Sequence, residues 1–83
     1  MEAFEFSGKT KVKRVFEAVR ESFDRNKCVR VVGRGDGTIK AVAVAEKLKS
    51  SFGNVDQVNE ILVFEEQEEK KGEIGLGINL RLV

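Results

Sequence analysis

The sequence predicts an α/β fold of the two-layer, α+β sandwich kind: a mixed four-stranded sheet with two helices on one face, in the order β-α-β-α-β-β. Three observations carry this reading. Two stretches place apolar residues at helical spacing, the C-terminal stretch alternates strictly with period two, and Gly-containing turn signals separate the segments. The 83 residues make a single domain, 1–83, near the lower end of what one hydrophobic core sustains. Cores this thin are often completed by oligomerisation.

Each element has its own signal. Ala3-Phe4-Glu5-Phe6 is a short strand closed by Ser7-Gly8. Val12, Val15, Phe16, Val19 and Phe23 then form one apolar helical stripe, with Thr10 or Ser7 as N-cap and Asn26-Lys27 as its end. Cys28 to Val32 reads as a β-branched strand, and Cys28 as a small core residue. After the loop Gly33-Arg34-Gly35-Asp36-Gly37, Thr38 caps a second helix from Ile39 to about Ser51, stopped at Gly53. This helix is apolar on two sides: Ala41, Val44, Ala45, Leu48 and Phe52 on one, Ile39, Val42 and Ala43 on the other. A sheet covers only one side, so the second predicts a neighbour, either the first helix or another subunit. Val55 to Glu66 is a long strand, residues 65–73 a charged hairpin tip, and Ile74 to Leu82 the last strand, with apolar residues at every second position. Both βαβ crossovers are expected to be right-handed.

Composition narrows the function. With no His, the commonest general base and the usual zinc nitrogen ligand are missing, and the carboxylates, lysines and one cysteine are not spaced as a catalytic set. The expectation is a non-enzymatic protein with no cofactor and no metal site. The lone Cys28 fits a reducing compartment, no apolar run reaches membrane-spanning length, and the acidic Met1-to-Glu5 start is unlike a signal peptide. A complete cytosolic protein is the corresponding expectation. Net charge is +1, but residues 1–49 hold 12 Lys+Arg against 7 Asp+Glu, and residues 50–83 hold 3 against 7.

The positive charge gathers at two places. Lys9, Lys11, Lys13 and Arg14 surround the start of the first helix, where the backbone already favours anions. Arg34 and Gly35 sit in the glycine loop before the second helix, followed by Lys40. Lysines beside free helix N–H groups suit phosphate oxygens, although a solvated polar face is the plain alternative. The loop is neither a Walker loop, lacking Gly-Lys-Ser/Thr, nor a dinucleotide fingerprint, its glycines running G-x-G-x-G. The glutamates at the tip read as a solvated loop. All six phenylalanines occupy positions that look buried, so no aromatic stacking platform is expected and contacts to nucleic acid would be mainly to phosphate.

Gly8-Lys9-Thr10-Lys11-Val12 resembles the lysine motif that opens the first helix in the Alba family. Val29-Arg30-Val31-Val32-Gly33-Arg34-Gly35 and Lys40-Ala41-Val42-Ala43-Val44-Ala45-Glu46 resemble its second strand, Arg-Gly turn and following helix. The likeness extends over nearly the whole chain. It implies a dimer, with itself or with a related chain, that binds DNA or RNA with little sequence preference, in chromatin or ribonucleoprotein of the nucleoid or cytoplasm. It places the family's lysine site on Lys9 and its loop arginine on Arg34. Thr10 and Lys11 depart from the family's second lysine and proline, Asp36 stands where another arginine is common, and the hairpin arm is acidic rather than basic. An acidic arm disfavours wrapping along duplex DNA. It leaves room for RNA binding through the loop-helix surface, for a protein-interaction subunit that keeps the fold, or for a related bacterial sporulation-regulator branch.

Overall fold

The computed structural model describes residues 1–65 and 72–83. The elements follow the expected order: β1 (Ala3–Phe6), α1 (Val12–Asn26), β2 (Cys28–Arg34), α2 (Gly37–Phe52), β3 (Val55–Glu65) and β4 (Gly72–Leu82). The sheet order is β1-β2-β4-β3, with β1 parallel to β2 and β4 antiparallel to both β2 and β3. Residues 66–71, most of the charged tip, lie outside the described residues.

Both helices pack on one face of the sheet. Val19 and Phe23 of α1, and Ala41, Val44, Ala45 and Leu48 of α2, close over Phe6, Val29, Val31, Ile78 and Leu80. The α1 stripe read from the sequence is the stripe that faces inward, because residues three and four apart share one side of a helix. The rings of Phe23 and Phe52 meet edge to face at 4.9 Å and join the two helices. Such pairs add about 0.5–1.5 kcal/mol beyond the burial of their area.

β2 ends later, and α2 and β4 start earlier, than expected, and α1 has a different cap. β2 runs on through Gly33 and Arg34 because these residues pair with Leu76 and Gly75 of β4. α2 starts at Gly37, with Asp36 rather than Thr38 at its N-cap and no side-chain capping bond. A Cβ on Gly37 would lie 1.9 Å from the Phe6 carbonyl oxygen, so the helix begins against β1 at a spot only glycine fits. At α1 the cap is Lys11, again without a side-chain bond. The hydroxyls expected to cap α1 are used one turn earlier, where Thr10 Oγ1 accepts from the Ser7 N–H at 2.9 Å and Ser7 Oγ from the Lys9 N–H at 3.2 Å.

Two residues read as buried lie on the opposite, open face of the sheet. Strand alternation sends Val29 and Val31 inward, so Cys28, Arg30, Val32 and Arg34 point outward, and Cys28 is half-exposed rather than a core residue. Phe64 pairs with Glu73 on that same face and is only half-buried, whereas Phe6 and Phe23 are fully enclosed. At the centre of the open face Arg30 donates to Glu60 and, at 2.9 Å, to Asn79 Oδ1, while Asn79 Nδ2 donates to Glu60 at 3.0 Å.

The second apolar side of α2 is not covered by α1. Ile39 is 78% exposed, and Val42 and Ala43 are also open. On the same side of the sheet, Ile61, Val63 and Ile74 are 80%, 64% and 68% exposed, because β3 and the start of β4 extend past the helices.

Candidate nucleic-acid interface

The loop after β1 and the loop after β2 lie at the same end of adjacent parallel strands, whose register pairs Phe6 with Gly33. Together they border an open hollow of about 600 Å³ whose wall includes Ser7, Gly8, Lys9, Arg34 and Asp36, with Glu5 and Glu73 from the flanking strands. Lys9 and Arg34, the two positions singled out by the family resemblance, therefore share one concave surface. Lys11, Lys13 and Arg14 do not line it; they are exposed around the cap and first turn of α1, which contains no acidic residue. Cations at this end of a helix raise its energy and favour an approaching anion.

Lys40 has a different position from the other predicted cations. Its ammonium donates to the Gly8 carbonyl at 2.8 Å and the Thr10 carbonyl at 2.6 Å. It thereby ties the lysine-bearing loop to α2 and fixes the backbone that carries Lys9. The same loop is held from within by the Ser7–Thr10 turn, whose Thr10 N–H donates to the Ser7 carbonyl at 3.1 Å. The lysine loop is thus a braced segment that holds Lys9 outward, in solvent.

Arg34 is half-buried, with its guanidinium 4.7 Å above the centre of the Phe64 ring. Its Nε–H donates to Glu73 Oε2 at 3.1 Å. Gly35 takes a left-handed conformation at φ 55°, which lets the chain turn sharply from β2 toward α2. Its N–H donates to the Ile74 carbonyl at 3.3 Å, which stitches the turn to β4.

Sequence reasoning missed Glu73, Glu5 and Phe64 as parts of this site. Glu73 was legible only as one of several glutamates near the tip, and its pairing with Arg34 depends on the register of β2 on β4. Among the described residues no group of Cys, Asp or Glu has metal-holding geometry, and no helix is long and apolar enough to cross a membrane.

Fold and site together define a small two-layer α/β domain that presents two braced, glycine-containing loops, one lysine-bearing and one arginine-bearing, at one end of its sheet. The family model for Alba matches residues 4–65, and the chain belongs to the Alba family, generally a nucleic-acid-binding fold. The solved structure of Alba from Thermoplasma volcanium superposes with a TM-score of 0.72 at 20% identity, over 95% of this chain and 98% of that one. At that identity the likeness speaks for the fold. No curated protein matches by sequence.

Proposed function

We infer that this protein binds DNA or RNA without catalysis, contacting phosphates through Lys9, Arg34 and the Gly35 turn, with Lys11, Lys13 and Arg14 adding charge at the start of α1. The observation that carries the reading is the convergence of Lys9 and Arg34 on one hollow from separate loops. Lys40 serves this surface as a brace. Contacts of this kind fix position on the sugar-phosphate backbone and carry little base information.

The working unit is a dimer, formed with a second copy or a related chain through Ile39, Val42, Ile61, Val63 and Ile74. Large apolar side chains left this open are the natural candidates for a protein contact. A dimer doubles the number of basic loops facing one nucleic acid. The reading implies a protein of the cytoplasm or nucleoid, in chromatin or ribonucleoprotein.

The test is a titration of fluorescent duplex DNA and structured RNA at several salt concentrations. Binding should weaken with salt, and each phosphate contact removed in Lys9→Ala or Arg34→Ala should reduce the log–log slope by about 0.7–0.9. Absence of binding to either polymer at low salt refutes the reading. A second reading, a protein-interaction subunit, draws on the ion pairs of the open sheet face. Arg30, Arg34 and Arg81 each stand against a carboxylate, of Glu60, Glu73 and Asp56 respectively. Stable co-purification with a protein partner, without retention on nucleic acid, favours it.

A further inference from the structure

We propose that Glu73 is a built-in competitor for the anion site at Arg34, occupying with its carboxylate the place a phosphate takes and leaving when nucleic acid binds. The proposal rests on the nucleic-acid reading above for its biological ligand, but the competition itself is a property of this chain.

The geometry is that of a filled anion site. Glu73 Oε2 accepts from Arg34 Nε at 3.1 Å, along the edge by which a guanidinium takes a carboxylate or a phosphate. The other carboxylate oxygen, Oε1, lies against Gly35: a Cβ built there would be only 2.2 Å from it. Glycine at this position thus makes room for the carboxylate as well as for the turn. Phe64 lies beneath the Arg34 guanidinium at 4.7 Å and limits its movement toward the sheet.

The sheet places the competitor. Glu73 is directly opposite Phe64 on β3, and Arg34 is paired with Gly75, two residues further along β4. The Gly35 N–H bond to the Ile74 carbonyl holds the turn beside this strand. The carboxylate therefore reaches Arg34 by strand register. Both partners retain solvent access, at 31% for the Arg34 side chain and 40% for that of Glu73. A pair this exposed is weakly held and readily exchanged for another anion. The Glu73 carboxylate thus limits how much of the arginine's affinity is available to an incoming phosphate.

The experiment compares wild type, Glu73→Gln, Arg34→Ala and the double variant with two probes. Sodium tripolyphosphate is titrated while the Gly35 backbone amide resonance, present in all four proteins, is followed by NMR, and fluorescent RNA and duplex DNA are titrated in parallel. Glu73→Gln should tighten both by up to about fivefold, the scale of an exposed ion pair, and the gain should vanish in the Arg34→Ala background. No gain for tripolyphosphate, or a gain that persists without Arg34, overturns the proposal. An Arg34-dependent gain for tripolyphosphate with no binding of either nucleic acid leaves the competition standing and refutes the nucleic-acid reading. Arg34-dependent nucleic-acid binding that Glu73→Gln leaves unchanged does the reverse.

Discussion

Replacing Ile39 or Ile61 by Glu should break the proposed dimer while leaving the protomer folded. Both side chains are largely open in the single chain, at 78% and 80%, so the substitutions remove almost no intramolecular burial. Exposed substitutions of this kind usually change stability by less than about 0.5 kcal/mol. At a covered interface the same isoleucines would each contribute about 1.5–3 kcal/mol by burial. In a two-fold dimer every substitution occurs twice, giving about 3–6 kcal/mol per substitution before any penalty for the buried carboxylate. That corresponds to a dissociation constant raised by about 10²- to 10⁴-fold. Sedimentation velocity across a concentration series reads the constant, and urea unfolding of the same samples reads protomer stability. A dimer whose constant moves less than tenfold in both variants places the interface elsewhere. Loss of the folded protomer in both refutes the premise that these residues are free in the single chain.

Three further outcomes follow from the packing and the charges. Phe23→Ala removes an enclosed ring and its edge-to-face contact with Phe52, and should cost about 3–5 kcal/mol of unfolding free energy in urea titration. Lys40→Met removes the bonds to the Gly8 and Thr10 carbonyls; faster amide exchange at residues 7–11 and weaker nucleic-acid binding should appear together, with global stability reduced by about 1.5–3 kcal/mol per bond lost at most. Acid should destabilise the fold through Glu2 and Glu60. Both carboxyls are held below the ordinary value of 4.5: Glu2 chiefly by the Ser22 hydroxyl hydrogen bond, with Arg25 and Asn26 adding to it, and Glu60 chiefly by the Asn79 hydrogen bond, then by Arg30. A lowered carboxyl stabilises the fold fully above its unfolded value, and that contribution is lost as pH falls through the lower folded value. The urea midpoint should therefore drop less between pH 5 and pH 3 in a Glu2→Gln/Glu60→Gln variant than in wild type.

The candidate site was legible in part. Lys9, Arg34 and Gly35 stood out as a cation-bearing turn before each helix, and the structure gives Lys9 and Arg34 a common wall. Lys40 was legible as a cation in the right segment but not as a brace, because its partners are carbonyl oxygens some 30 residues away, and any backbone offers those. Glu73 carried no signal of its own. Its meeting with Arg34, 39 residues distant, follows only from the way β2 and β4 align.

What the sequence by itself determined was the succession of elements and the inward side of most of them. Val12 to Phe23 and Ile74 to Leu82 have periods of one helix stripe and one strand face, and burying the apolar side fixes their orientation locally. Where two apolar residues are adjacent, as in Cys28-Val29 or Val63-Phe64, composition cannot say which faces the core; pairing across the sheet decided that, sending Cys28 and Phe64 to the open face. The extra length of β2, the early start of α2 at Gly37 and the exposure of Ile39, Ile61 and Ile74 were likewise decided by tertiary structure. Each depends on how closely two distant backbones approach, or on how far a strand outruns the helices above it. Local patterns encode what a residue prefers, and only the assembled sheet specifies what stands beside it.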